Sequence, residues 1–173
     1  MPAKFRFNRN RLIRCVGQID EELTQELLRG LGEFESESKS QAVQIVLNTP
    51  GGETDSALGA YDAIKFFTFP IITIAEGRVA SSGLPIFLAG SKRYITQNSS
   101  IMIHKPEGRF NNSMTHEKLT FMALDLRRVE ENFVRIIAER TGQNIVKVQE
   151  DLNKGTIFNA LESLTYGLAH KII

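Results

Sequence analysis

The stretch Gly77-Arg78-Val79-Ala80-Ser81-Ser82-Gly83-Leu84 lies between a strand pattern and a helix pattern. Residues 71–75, Ile-Ile-Thr-Ile-Ala, are apolar and mostly β-branched, which is typical of a strand covered on both faces. Residues 84–88 are apolar and lead to Ala89-Gly90, which predicts a buried helix closed by a glycine. The sequence therefore predicts a strand, a turn that exposes Ser81, and a helix.

Ser81 is a candidate nucleophile on this predicted turn. Its small neighbours would let a substrate backbone approach closely, and the start of a helix offers unpaired N–H groups to a developing negative charge. The alternative is that Ser81 only caps a buried helix, since serine is a favoured N-cap residue. The local pattern leaves both interpretations open.

Length and composition indicate one compact domain. The chain has 173 residues, of which 42% are hydrophobic and 24% are charged, so it can bury a sizeable core. A net charge of +1 argues against a dedicated nucleic-acid binder, although residues 1–14 are basic. No apolar run approaches the roughly 18 residues needed to cross a bilayer. We expect a soluble, cytoplasmic protein that binds neither nucleic acid nor membrane.

The chain has few residues that could bind a metal or form a disulfide. Cys15 is the single cysteine, which excludes an internal disulfide and predicts a buried thiol. No pair of histidines or cysteines has the spacing of metal ligands, so we expect no metal and no other cofactor.

The order of predicted elements indicates an α/β fold. Strands at about 12–16, 42–48 and 71–75 are each followed by a helix; the first helix opens at Asp20 and ends near Gly30 to Gly32, and Thr54 or Asp55 caps the second. This alternation implies parallel strands joined by right-handed crossovers. Two short strands at about 93–96 and 100–103 follow.

A long helix is predicted from about Ser113 to Arg140. Apolar residues at alternating three and four spacing form a seam along it: Leu119, Met122, Leu126, Val129, Phe133 and Ile136. Such a seam needs a partner, which is either the body of the same chain or another molecule. Shorter helices at about 145–152 and 159–166 complete the prediction.

His104 is the best candidate for a general base. A serine that transfers acyl groups needs a base within hydrogen-bond reach, a group that orients the base, and donors for the oxyanion. His104 follows an apolar strand and precedes a loop with Pro106, where strand-end residues project into sites. His116 and His170 are expected on the surface. Because strand-end histidines also serve as structural donors, spacing alone does not decide the role of His104.

Gly51-Gly52 follows the second predicted strand, at the end where open α/β sheets place their sites. The glycines could aim backbone N–H groups at a substrate. No Lys-Ser or Lys-Thr follows them as in a phosphate-binding loop, so nucleotide binding is weakly supported. A plain turn is the other alternative.

Taken together, these residues resemble the proteolytic subunit of the bacterial and organellar Clp protease, ClpP. The family's Asn-x-Pro-Gly-Gly motif reads Asn48-Thr49-Pro50-Gly51-Gly52, its Ala-Ser-x-Gly turn reads Ala80-Ser81-Ser82-Gly83, and its Met-Ile-His-x-Pro segment occupies residues 102–106. Thr141-Gly142-Gln143 and Tyr166-Gly167-Leu168 match two further family marks. The similarity covers residues 12–173 as a single domain and leaves out residues 1–11, a basic arm that we expect to be mobile.

The resemblance implies a crotonase-like spiral of βα units with a protruding handle at about residues 107–140. It implies a serine endopeptidase with Ser81 as nucleophile and His104 as general base. The oxyanion hole would use the backbone N–H groups of Gly52 and Ser82, and Gly51 and Gly83 would lie against the substrate. It also implies stacked heptameric rings that enclose the sites and receive unfolded polypeptides from an AAA+ unfoldase.

The chain departs from the family at the third member of the triad. Counting forwards from Thr141-Gly142-Gln143 and backwards from Tyr166-Gly167-Leu168, the position of the family's aspartate is occupied by Gly155. Asn153, as a neutral acceptor, and Asp151, as a carboxylate, are the candidate substitutes.

The missing aspartate keeps other functions open. Loss of the orienting carboxylate of a serine-protease triad lowers the rate on the order of ten-thousand-fold. A weak or inactive structural subunit is therefore the alternative to a peptidase. A crotonase-type acyl-coenzyme A enzyme is a further alternative, which the shared fold permits.

Overall fold

The computed structural model describes residues 5–108 and 113–173. Residues 1–4 of the predicted arm and residues 109–112 of the predicted handle lie outside this range. After a short 3-10 helix, Arg9–Arg11, the elements are β1 Leu12–Val16, α1 Glu21–Glu37, β2 Val43–Thr49, α2 Thr54–Ile64, β3 Ile71–Ala80, α3 Gly83–Ala89, β4 Lys92–Ile95, β5 Ser100–Met102, α4 His116–Thr141, α5 Ile145–Lys154, β6 Ile157–Asn159, α6 Ala160–Tyr166 and β7 Lys171–Ile172.

The strands in the described residues form one sheet with the order β1-β2-β3-β4-β7, and neighbours along this path are parallel. β5 also pairs with β3 in parallel, and β6 pairs with β5 antiparallel. The α/β fold of parallel strands joined through helices is therefore confirmed. The short strands β6 and β7 were not predicted, because two or three residues are too few to show a period.

β3 changes its pairing partner halfway along its length. Ile72 to Ala75 pair with β4, whereas Arg78 to Ala80 pair with β5. Gly77 lies between the two halves with a φ of +87°, and a side chain there would meet the Asn48 amide at about 2.9 Å. The prediction that this strand ends at Ala75 was wrong, because Glu76, Gly77 and Arg78 interrupt the apolar run without ending the strand.

The centre of the sheet is buried on both faces. Val43 to Leu47 of β2 are all buried, as are Ile74 and Ala75 of β3, which confirms the interpretation of the apolar runs. Cys15 is buried as predicted. Burial, and secondarily the negative charge of Glu26, raise the pKa of this thiol to about 12, so the thiol is neutral at physiological pH.

The end of the first helix and the cap of the second differ from the predictions. The first helix continues to Glu37 instead of ending near Gly30 to Gly32. The buried Arg11 guanidinium donates hydrogen bonds to the carbonyls of Phe34 and Ser38, which stabilises the end of this helix. The second helix begins at Thr54 with Glu53 as its N-cap, so neither Thr54 nor Asp55 caps it.

The seam of α4 has two different environments. Val129, Phe133 and Ile136 are buried against the body of the chain, whereas Leu119 is 46% exposed. The helix begins at His116, after an N-cap at Thr115, three residues later than predicted. The carboxyl-terminal half of the seam therefore has its partner within the chain, and the amino-terminal half has apolar residues open to solvent.

The described part of the predicted arm lies against the body. Phe5 makes an edge-to-face contact with Tyr94, at a centroid distance of 5.4 Å. The backbone N–H of Asn8 donates to the side chain of Gln44.

In residues 5–108 and 113–173, none of the helices has the length and apolar character needed to cross a bilayer.

Arg93 connects β4 to two helix ends. Its side chain is buried, and it donates to the carbonyls of Leu168 at 2.7 Å, Arg140 at 2.7 Å and Gly167 at 3.0 Å. Burial, and secondarily the nearby Arg140, lower the pKa of Arg93 to about 10, so it is still charged at neutral pH. One guanidinium thus supplies donors to three carbonyls from two separate parts of the chain.

We expect Arg93→Met to destabilise the fold by about 2–4 kcal/mol, because it removes donors from one buried and two partly buried carbonyls. The midpoint of urea unfolding measures this loss. Arg29→Met is the matched control, because Arg29 is exposed and pairs with Glu33 on the same helix, a contact worth about 0.3–0.5 kcal/mol. Equal unfolding midpoints for the two variants would contradict the role of Arg93.

Candidate active site

Ser81 lies on a strained turn between β3 and α3. Its φ is +52°, and it is the only non-glycine residue with a positive φ among the residues that the structure describes. This left-handed conformation costs about 1–2 kcal/mol in an L-residue. The turn is held by a hydrogen bond from Ser81 N to the Met102 carbonyl and by one from Leu84 N to the Ser81 carbonyl. A capping serine does not require such a conformation.

Neither serine of the turn caps α3 through its side chain. The N-cap residue is Ser82, and its side chain makes no capping bond. Its hydroxyl instead donates to the carbonyl of Gly52, at 2.8 Å. Within residues 5–108 and 113–173, the Ser81 hydroxyl makes no hydrogen bond to protein. The interpretation of Ser81 as a helix cap is therefore wrong.

A cleft of about 530 Å³ brings most of the predicted site residues together. The ends of β2, β3 and β5 meet there, as expected for parallel strands. A larger groove of about 850 Å³ lies beside α4, and none of the predicted site residues lines it. The lining of the cleft consists of Gln18, Pro50, Gly51, Gly52, Glu53, Thr54, Ser81, Ser82, His104, Pro106 and Glu107.

Gly51 allows the end of β2 to lie directly against Ser81. A Cβ atom on Gly51 would lie 2.5 Å from the Ser81 Cβ, and the φ of Gly51 is +100°. A Cβ atom on Gly52 would lie 2.0 Å from the Ile19 carbonyl oxygen, because Ile19 bridges to Gly52 in parallel. Only glycine fits at these two positions, so the sequence Gly51-Gly52 is more than a plain turn.

Two backbone N–H groups beside Ser81 are available to a ligand. Those of Gly52 and Ser82 donate to no protein acceptor in the described parts of the chain, and both residues line the cleft with Ser81. Unpaired N–H groups near a nucleophile can stabilise an oxyanion. Gly83 was predicted to contact the substrate, but its position does not fit that role. It is buried, does not line the cleft, and a Cβ atom there would meet the Thr49 side chain.

His104 enters the cleft from the end of β5. The preceding residue, Ile103, is buried and donates its N–H to the Thr156 carbonyl, which fixes the backbone. The imidazole is 26% exposed, and its Nδ1 lies 3.9 Å from Oε1 of Glu107. Among the described residues, no hydrogen bond joins His104 to Ser81. Catalytic contacts are often long in unliganded proteins and shorten when a substrate binds.

Gly155 lies next to His104 but offers no side chain. It closes α5 in the left-handed conformation, with a φ of +66°. A Cβ atom at this position would lie 4.0 Å from the His104 Cβ. A side chain here would therefore begin in contact with the base of the His104 side chain.

The candidate substitutes for the aspartate do not reach His104. Asp151 is buried, and its carboxylate accepts two hydrogen bonds from Lys147 at 2.6 Å and one from the Tyr166 hydroxyl at 2.9 Å. Burial, and then the hydrogen bond to Asp151, raise the pKa of Tyr166 above its usual value, so this hydroxyl remains a donor. Asn153 is exposed on α5. Neither Asp151 nor Asn153 lines the cleft.

Glu107 is a cleft residue with an ionisable side chain that sequence reasoning missed. It lies three residues after His104, and a scan for carboxylates near each candidate histidine could have found it. The loop has no period, however, that predicts which side chains face the cleft.

In the described residues, no group of three or more His, Cys, Asp or Glu is placed to hold a metal ion.

Comparisons with known proteins cover almost the whole chain. The family model for the Clp protease matches residues 3–173. The ATP-dependent Clp protease proteolytic subunit 2 of Treponema denticola is 36% identical over 169 residues, which are 96% of this chain and 84% of the relative. The solved structure of an asparagine-to-aspartate mutant of ClpP1 from Listeria monocytogenes has a TM-score of 0.86 and 30% identity, and the match covers 94% of this chain and 91% of that one. The chain therefore belongs to the Clp protease family.

Proposed function

We propose that the chain is a serine endopeptidase subunit that hydrolyses peptide bonds in unfolded polypeptides. Ser81 is the nucleophile and His104 is the general base. The observation that carries the proposal is the strained Ser81 turn, which lies in one cleft with His104 and two unpaired N–H groups. Membership of a family of proteolytic subunits supports the same activity.

The proposed reaction has two stages. In the first, Ser81 Oγ attacks the carbonyl carbon of the scissile bond while His104 takes the hydroxyl proton. The carbonyl oxygen becomes an oxyanion that accepts hydrogen bonds from the N–H groups of Gly52 and Ser82. When the C–N bond breaks, His104 gives its proton to the leaving amine. In the second, water attacks the acyl group with His104 as base, which releases the acid and restores Ser81.

The two nearby glycines support this geometry in different ways. Gly51 lies against Ser81 and lets the backbone of a substrate pass along the cleft beside it. Gly83 acts indirectly, because its lack of a side chain lets α3 pack against Thr49 and thereby places the N–H of Ser82.

We also propose that the active form is a pair of stacked heptameric rings fed by an AAA+ unfoldase. Support comes from the amino-terminal half of α4, where Leu119, Phe121 and Leu124 are 46%, 69% and 62% exposed. Apolar side chains on one helix at this exposure are typical of a protein interface. The handle would then contact the opposite ring, and the rings would enclose the cleft.

The second candidate function is a structural subunit with little activity of its own. The observation that favours it is Gly155, which leaves the imidazole of His104 without a side chain from α5. A serine peptidase without an orienting acid keeps only the part of its rate that comes from the oxyanion hole and from binding.

A fluorophosphonate probe tests the nucleophile. We expect covalent labelling of the assembled protein at Ser81, located by mass spectrometry of the digested protein, and no labelling of Ser81→Ala. Ser91→Ala is the control, because Ser91 bonds to the Ile71 carbonyl far along the sheet and should leave labelling intact. Labelling that persists in Ser81→Ala, or no labelling of the assembled protein, would contradict the proposed function.

Gly155→Asp separates a weakened peptidase from a structural subunit. Because a side chain here faces His104, we expect kcat for a fluorogenic peptide to rise by roughly tenfold or more. Gly142→Asp is the matched control, since Gly142 also closes a helix in the left-handed conformation but a Cβ atom there would have no neighbour within 4 Å. Both substitutions cost similar backbone energy, about 1 kcal/mol. Equal rates in both variants would favour the structural subunit.

A further inference from the structure

We propose that Glu107 is a positioning residue that orients His104 in place of the side chain that Gly155 lacks. The proposal rests on the proposed function, since it assigns Glu107 a role through the candidate base. Its basis is the approach of Glu107 Oε1 to His104 Nδ1 at 3.9 Å, inside the cleft that also holds Ser81.

The loop after β5 sends its charged side chains in two directions. The Lys105 ammonium pairs with Glu130 of α4 at 3.2 Å and lines the groove beside that helix. His104 and Glu107 instead line the cleft, with Pro106 between the two sides. The Lys105 cation is thus engaged with α4, and the carboxylate of Glu107 faces the imidazole.

The other nearby carboxylates are already engaged. Glu53 lines the cleft from the start of α2, and its Oε2 accepts a hydrogen bond from the Ser56 hydroxyl at 2.9 Å. Asp151 of α5 is held by Lys147 and Tyr166. Among the described residues that line the cleft, Glu107 is the carboxylate within ion-pair distance of His104.

A carboxylate at Nδ1 would supply the orientation that the triad needs. By accepting the Nδ1 proton it favours the tautomer whose Nε2 carries a free lone pair, which is the form that can take a proton from Ser81. At 3.9 Å the two atoms are beyond hydrogen-bond length. The Glu107 side chain is 75% exposed, so rotation about its own side-chain bonds can shorten the contact when a substrate enters the cleft.

The exposure of Glu107 also limits the size of its effect. Exposed ion pairs contribute much less than buried ones, because water and salt screen them. We therefore expect Glu107→Ala to lower kcat roughly three- to tenfold with little change in KM, a smaller loss than that of a buried triad aspartate. The control is Glu150→Ala, which removes an exposed carboxylate from α5 and should leave kcat unchanged.

A measurement of the imidazole itself is the second readout, since a purely structural role would not alter it. Nitrogen NMR of the assembled protein with labelled histidine distinguishes the two neutral tautomers at alkaline pH. The chain has three histidines, so His104→Gln assigns the signal. We expect the Nδ1–H tautomer in the unchanged protein and in Glu150→Ala, and a shift towards Nε2–H in Glu107→Ala.

The two readouts distinguish failure of this proposal from failure of the proposed function. The role of Glu107 is overturned if Glu107→Ala keeps either the tautomer or the kcat of the unchanged protein. Absence of fluorophosphonate labelling at Ser81 in the unchanged protein contradicts the proposed function instead. A tautomer that changes in Glu107→Ala, together with the expected loss of kcat, supports the role of Glu107.

Discussion

The contact between Gly51 and Ser81 is the constraint on which the site depends. The space between the ends of β2 and β3 holds no extra carbon atom, because a Cβ on Gly51 would lie 2.5 Å from that of Ser81 and 3.0 Å from the Ala80 carbonyl oxygen. Ser81 in turn adopts a left-handed conformation that only the surrounding bonds maintain. The strained backbone of Ser81 and the glycine backbone of Gly51 thus pack directly together, and the serine hydroxyl and the Gly52 N–H lie at one cleft.

The change of partner along β3 brings His104 to the same cleft. Within β3, only the second half, after Gly77, pairs with β5, and the Met102 carbonyl at the end of β5 accepts the Ser81 N–H. The Ser99 hydroxyl accepts the Gly77 N–H, and the Asn48 amide oxygen accepts that of Arg78, so the irregular part of the strand keeps its hydrogen bonds. The proposed nucleophile and the candidate base thus lie at one strand junction.

The sequence predicts those parts of the molecule that local physics dictates. The apolar runs of β1 and β2, the helix after Ser82 and the parallel order follow from composition and alternation. The extension of β3 and the end of α1 do not, because they depend on Asn48 and Arg11, which are distant in sequence. In the candidate site, counting between motifs assigned Gly155 to the aspartate position that the resemblance implies, and Gly155 lies next to His104. It could not show that Asp151 is occupied by Lys147 and Tyr166, since that depends on which face of α5 is buried.

Different carboxylates near the carboxyl end of α5 have the two roles that one side chain could combine. One role is to stabilise the helix end, and the other is to orient His104. Asp151 is buried and fully paired, so it stabilises the end of α5, where its backbone carbonyl also accepts the Thr156 N–H and hydroxyl. The carboxylate within ion-pair distance of the imidazole is that of Glu107, which lies on an exposed loop and not at the end of α5. At physiological salt the Debye length is about 8 Å, and an exposed pair is screened far more than a buried one. Orientation of His104 by Glu107 would therefore weaken as the salt concentration rises, and exclusion of water from the cleft by a bound substrate would strengthen it.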